Sequence, residues 1–269
     1  MKKLSLYVFL VLLFCGNTIA DSKDRDVKLN QLFEQLKKSD NVSIALEIEM
    51  KIWNIWSTHP TQKKLTQSLA KGSDLMSKGD LETAYKIFST IIDSAPDWAE
   101  GWNKRATVLY LMGRYQDSLN DIDEVLKRES RHFGALSGQG LVQIKLGNYE
   151  QAIKSYQSAY KVKQDHGEAF FSLSNLKTYT FTKNELNIMR QQLKRVDLTL
   201  KDKAYFHFAL AQGCEVVGKY DEAFFHLDCG NKIKNKQSKY TVERMDRELQ
   251  AQIDVCNEPF FEKHGNGGY

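Results

Sequence analysis

Six histidines (His59, His132, His166, His207, His226 and His264), four cysteines (Cys15, Cys214, Cys229 and Cys256) and Ser137 are the side chains in this 269-residue sequence best suited to metal binding, disulfide exchange or acyl transfer. Metal ligation by histidine and cysteine calls for short spacings such as Cys-x-x-Cys or His-Glu-x-x-His, which set the donors on one turn or one helical face. The sequence contains neither, so no metal site is expected. A nucleophilic serine in a Gly-x-Ser-x-Gly elbow needs a strand that turns sharply into a helix. Leu136-Ser137-Gly138-Gln139-Gly140 falls instead inside a helical pattern whose glycines have a packing role. Gly265-Asn266-Gly267-Gly268 lacks the following Lys-Ser or Lys-Thr that completes a phosphate loop, and no strand pattern precedes it. No catalytic residue and no cofactor is expected; the sequence reads as a binding protein and not an enzyme.

Export is written at the start. Met1 to Ala20 combines Lys2 and Lys3, an apolar run from Leu4 to Cys15, and Gly16-Asn17-Thr18-Ile19-Ala20 ending on a small residue, the layout of a secretory signal peptide cleaved after Ala20. A run of twelve apolar residues is short for a spanning helix, which needs about 20. Bulky Phe14 before Cys15 speaks against a lipoprotein site. The expected location is therefore periplasmic or secreted, with no membrane association beyond the export signal. Removing Lys2 and Lys3 takes the formal charge from +4 to +2, which implies no nucleic-acid partner. An oxidising compartment draws attention to Cys214, Cys229 and Cys256, but the spacing of Cys214 and Cys229 is compatible with a bridge or with two packed thiols.

The elements that must carry these residues are helical. Gly79, Gly113 and Gly147 stand 34 residues apart, and setting each at position 15 frames three gapless units over 65–98, 99–132 and 133–166. Position 8 then holds Gly72, Ala106 and Gly140, and position 20 holds Ala84, Ser118 and Ala152, small residues where two antiparallel helices approach closely. Position 24 holds Phe88, Ile122 and Tyr156, and position 17 holds Leu81, Tyr115 and Tyr149, larger side chains expected to fill the space between units. Glycine at position 15 suits a left-handed residue that ends the first helix.

A fourth frame surrounds Gly218 over 204–237, with Ala223 at position 20 and Leu227 at position 24. Gly147 and Gly218 are 71 residues apart, two periods plus three, so 167–203 reads as one degenerate unit. Its second helix is expected to begin at Thr182, where Glu185 completes a capping box. Residues 21–64 carry two amphipathic helices expected to cap the first unit, and 238–269 read as a C-terminal helix and tail around Phe260 and Phe261.

The recurrence of several positions at one period of 34 resembles the tetratricopeptide repeat family over about 170 residues. That resemblance implies an all-α fold, a right-handed superhelical solenoid of helix-turn-helix repeats, with a concave groove formed by positions 2, 5, 9, 12 and 13 of each first helix. Carried over position by position, the groove residues are Asn103, Thr107 and Tyr110, then Ser137, Leu141 and Ile144, then Tyr205, Phe208 and Gln212. The implied partner is a protein or a peptide. Leu69 and Ser73 occupy positions where some eukaryotic members clamp a terminal carboxylate, so that mode is not expected.

The stretch from Gly101-Trp102-Asn103-Lys104-Arg105-Ala106 to Phe133-Gly134-Ala135-Leu136-Ser137-Gly138 looks like exported bacterial members of the family. The segments Ser172-Leu173-Ser174-Asn175-Leu176-Lys177-Thr178-Tyr179 and Tyr220-Asp221-Glu222-Ala223-Phe224 are similar to the helical region that precedes the catalytic domain of bacterial tetratricopeptide sulfotransferases. No Pro-Arg-Ser-Gly-Thr-Thr loop occurs here, so no catalytic residue carries over. The lysines Lys232, Lys234, Lys236 and Lys239 suit either an anionic partner or a solvated surface.

Overall fold

The computed structural model describes residues 24–39, 41–176, 178–195, 198–237 and 242–264; the expected signal segment Met1 to Ala20, Lys239 and the glycine-rich end fall outside them. Every regular element among the described residues is a helix. Helix α1 covers 24–38 and pairs with α2 (Val42–Ser57). The units follow as α3 (Lys63–Ser77) with α4 (Leu81–Ser94), α5 (Ala99–Leu111) with α6 (Tyr115–Arg128), and α7 (Phe133–Lys145) with α8 (Tyr149–Val162). The degenerate unit holds α9 (Gly167–Ser174) and α10 (Lys183–Leu193), and the last holds α11 (Leu200–Val216) and α12 (Tyr220–Gln237). Helices α13 (Val242–Val255) and α14 (Glu258–His264) close the described chain.

One device turns the chain at four places. Gly79, Gly113, Gly147 and Gly218 have φ of 85°, 76°, 81° and 75°, and no other described residue has a positive φ. Around each, the glycine N–H and the next N–H reach back to carbonyls of the ending helix: Gly113 to Tyr110 and Arg114 to Leu109, at 3.0 and 2.9 Å. The same pair recurs as Gly218 to Glu215 and Lys219 to Cys214. These are orphan carbonyls of a helix C-terminus satisfied by a left-handed cap.

Between the two helices of a unit, the ring at position 24 lies directly on the small residue at position 8. A Cβ added to Gly72 would come within 2.6 Å of the Phe88 ring, and one added to Gly140 within 2.7 Å of the Tyr156 ring. The small residues also meet one another, since Ser118 Oγ donates to the Ala106 carbonyl at 2.8 Å.

At position 17, Leu81 and Tyr115 pack between units as expected, and two tyrosines depart from that pattern. Tyr149 is exposed, because α9 stops after eight residues and never covers the start of α8; Tyr220 is exposed, with no further unit packed on α12 among the described residues. The degenerate unit spends its extra residues on an irregular segment after α9 that buries Tyr179 and Phe181 in the largest core cluster. Thr182 and Glu185 form the capping box, and Glu185 also accepts hydrogen bonds from the Tyr160 and Tyr179 hydroxyls. Helix α11 starts four residues before the 204–237 frame, because Thr199 Oγ1 accepts the Asp202 N–H and caps it there.

The N-terminal pair docks elsewhere than the first unit's outer face. Leu29, Leu32, Phe33 and Leu36 of α1 and Ala45, Ile48, Ile52 and Trp56 of α2 form one cluster that includes Phe133 of α7. Trp98 Nε1 donates to the Trp56 carbonyl at 2.8 Å, and Arg131 lies 4.4 Å over the Phe33 ring. Amphipathic spacing fixes which stripe is buried and leaves open against what, which is why the sequence suggested a different seat. Cys214 and Cys229 are free thiols; Cys214 Sγ instead takes an N–H from Arg190 of α10 at 3.8 Å.

Candidate functional site

Three of the groove residues predicted on α5 meet one predicted on α7. Asn103, Thr107 and Tyr110 line a shallow indentation of about 100 Å³ together with Leu141, over a floor of Ala106, Ile122 and Val142. Thr107 Oγ1 donates to the Asn103 carbonyl of its own helix, and Asn103 Nδ2 donates to Glu100. Gly134, Gly138 and Leu141 then pass directly into a larger cavity of about 610 Å³, which Ser137 also lines. Five predicted residues therefore share one continuous surface.

The other four do not join it. Ile144 packs against the core cluster of the third and fourth units and lines neither cavity. Tyr205 and Phe208 form an aromatic step with Phe171, at ring distances of 4.8 and 5.9 Å, and Phe208 rests on Gly230. Gln212 has its Oε1 buried without a hydrogen-bond partner. Lys201 links the two regions, since it lines the larger cavity and places its Nζ 5.5 Å from the Tyr205 ring.

Half of the larger cavity comes from residues that the sequence reading left aside. Leu46, Glu49 and Trp53 of α2 form one wall, and the turn after α8 contributes Lys163, Asp165 and His166. Lys163 is buried between Glu49 Oε2 at 3.2 Å and Asp165 Oδ1 at 3.0 Å. Burial lowers the affinity of its amine for a proton, but the two carboxylates outweigh that and hold its pKa above the ordinary value. Glu168 and Lys201 pair at 3.3 Å on the exposed rim. A sequence signal existed for part of this: positions 31 to 34 of the third unit carry Lys163, Gln164, Asp165 and His166, a charged turn unlike Ala95-Pro96-Asp97-Trp98 in the first.

Ser137 Oγ and His166 Nε2 lie 2.6 Å apart beside this cavity, the spacing of a nucleophile and its base. Burial, followed by the Lys163 charge, pushes the His166 pKa down to about 3. The contact holds Ser137 of α7 against the turn after α8 in the wall of the cavity. Among the described residues no group of three His, Cys, Asp or Glu side chains is arranged to hold a metal ion, and no helix is long and apolar enough to cross a membrane.

Two half-buried histidines, His166 and His207, set an acid limit on stability. Desolvation, with the His226 charge second, lowers His207 to about 4, and its Nδ1 lies 2.9 Å from His226 Nδ1. The unfolded chain takes up these protons near the ordinary histidine value of about 6.5, while the folded chain resists until about pH 4 for His207 and about 3 for His166. Stability from these groups is thus complete above about pH 6.5 and is lost as the pH falls, by up to about 1.4 kcal/mol per pH unit for each group. Thermal melts from pH 7.5 to 4.0 are expected to be flat down to about pH 6.5 and then to fall, and His166→Gln to fall less steeply.

A family model described as tetratricopeptide repeat matches residues 103–169. A TPR repeat-containing protein of Rhizobium etli is 37% identical over 134 residues, covering 48% of this chain and 63% of that protein. DnaJ homolog subfamily C member 7 of Mus musculus is 22% identical over 165 residues, covering 58% of this chain and 33% of that protein. The chain thus spans less than two thirds of the length of these curated relatives. Among solved structures, a MamA RS-1 double mutant superposes with a TM-score of 0.50 at 16% identity, over 66% of this chain and 99% of that one, a likeness of fold.

Proposed function

We propose that this tetratricopeptide-repeat protein is a non-catalytic scaffold that holds an extended segment of a partner protein on the surface running from α5 to the wall of α2. The observation that carries the reading is the continuity of the two cavities through Gly134, Gly138 and Leu141. At Gly138 an added Cβ would meet only Ile122, at 3.8 Å, which leaves room for backbone, while Trp53 closes over Gly134; Leu141 and Tyr110 offer apolar contact and Asn103, Ser137 and Lys201 offer polar contact. Such a mix suits an extended peptide more than a small apolar ligand. The signal-peptide layout of Met1 to Ala20 supports a setting in the cell envelope or outside the cell, where the partner would be another exported protein.

Peptides selected from a displayed library against the purified chain test the reading. Leu141→Glu alters an exposed side chain, so the fold is expected to persist while the affinity of selected peptides falls at least tenfold in fluorescence anisotropy. A library that yields no binder, or binders indifferent to Leu141→Glu, would sink it. Protein recovered from the periplasmic fraction is expected to begin at Asp21; an intact Met1 there would remove the export part of the reading.

A further inference from the structure

In an inner unit, positions 17, 21 and 24 of the second helix receive the first helix of the next unit. Tyr115, Leu119 and Ile122 of α6 do so, packing in one cluster with Ala135 and Val142 of α7. The same positions in α12 are Tyr220, Phe224 and Leu227, and they are 70%, 73% and 43% exposed, where Ile122 is 3% exposed. Among the described residues this unit presents the seat of a helix and no helix on it. Helix α13 leaves it open: Met245, Leu249 and Ile253, its own apolar row, are each half exposed or more. A local cause is visible in lengths. Helices α4, α6 and α8 have 14 residues and α12 has 18, which carries the chain about 6 Å past the point where the inner units turn back.

We propose that a second copy of this chain fills the seat, α12 against α12, running antiparallel about a two-fold axis. An apolar row of this size rimmed by charge marks an interaction surface. The inner seats are occupied by antiparallel helices, α6 by α7 for example, and a second α12 reproduces that direction. The charges fit the same arrangement. Asp221 and Lys232 are 11 residues, about three turns, apart and so lie on one flank of the row at its two ends. Antiparallel pairing sets Asp221 of each copy beside Lys232 of the other, twice; parallel pairing about a two-fold puts these flanks on opposite sides of the seam and makes neither contact. Lys232 is 70% exposed and its present partner, Asp228, is one turn away on its own helix at 2.6 Å, so it is free to turn outward. Because one patch meets itself, the assembly closes at two copies.

Sedimentation velocity of the full chain over a hundredfold concentration range tests this, and it does not depend on the peptide-binding reading. A dimer at high concentration is expected. Phe224→Glu, at a side chain almost free of contacts, is expected to give a monomer that melts with the unmodified chain at concentrations below dimerisation; Tyr220→Glu serves if that variant fails to fold. Asp221→Lys is expected to weaken dimerisation at least tenfold, and Asp221→Lys with Lys232→Asp to restore it. A monomer throughout, a dimer untouched by Phe224→Glu, or a dimer lost on Leu249→Glu but not on Phe224→Glu would overturn the assignment.

Discussion

Glu100→Ala is expected to destabilise the chain by about 3 kcal/mol, the range for removing one partner of a buried ionic pair, and to lower the melting temperature by roughly 6 to 12 °C. Glu100 stands in the first turn of α5 with 1% of its surface exposed. Its carboxylate faces His132 Nε2 at 3.2 Å, Lys104 Nζ at 3.2 Å and Asn103 Nδ2 at 3.1 Å. The His132 Nδ1 accepts the Ala135 N–H at 3.1 Å and caps α7, so the ring carries its proton on Nε2 and donates to Glu100. Burial raises the pKa of this carboxyl, and the His132, Lys104 and Asn103 contacts outweigh it, leaving it below the ordinary value. His132 is also stacked on Trp56 at 4.1 Å, so losing Glu100 leaves a buried donor unpaired and loosens the docking of α2 at once. Glu100→Gln keeps an acceptor and is expected to lose about half as much. Denaturant unfolding measures both, and a loss below about 1 kcal/mol for Glu100→Ala would show that the network contributes little.

Gly140→Val is expected to cost a similar amount, about 3 kcal/mol, through overpacking. A Cβ at this position would lie 2.7 to 2.8 Å from three atoms of the buried Tyr156 ring, so the ring must shift to admit it. Tyr156→Leu in the same chain is expected to recover part of the loss, since a smaller side chain vacates the contact. Gly147→Ala supplies the contrast. An added Cβ there meets nothing within 4 Å, so its cost is the left-handed backbone alone, about 1 kcal/mol. Equal melting of Gly140→Val and the unmodified chain would contradict the packing described for position 8.

Those two glycines also mark how far the sequence could be read. Gly147 was legible because its requirement is local: a fixed period, a left-handed residue and a helix that must stop. Gly140 was legible as a small residue at position 8, although the ring lying on it was visible only in the structure. Thr182 and Glu185 were legible for the same reason as Gly147, since a capping box joins residues three apart. Contacts between distant segments were not. Nothing in the spacing of Ile48, Ile52, Trp53 and Trp56 says that they meet Phe133 and Gly134, so the wall that α2 gives to the larger cavity was missed. Ile144 lies outside the two cavities because, beside the degenerate unit with its short α9, its half-buried side chain packs against the core cluster.

The docking of α1 and α2 has a consequence for how the molecule comes apart. A linear stack couples each unit only to its neighbours, and it can fray from either end. Here Trp56 holds the junction at Trp98, Phe133 joins the N-terminal cluster, and Lys163 is tied to Glu49, so one helical pair straps three successive junctions together. The strapped portion must melt as a block, while the units that follow Asp165 keep the independence of a simple stack. Cooperativity is thus distributed unevenly along the axis, concentrated where the N-terminal pair straps the units together.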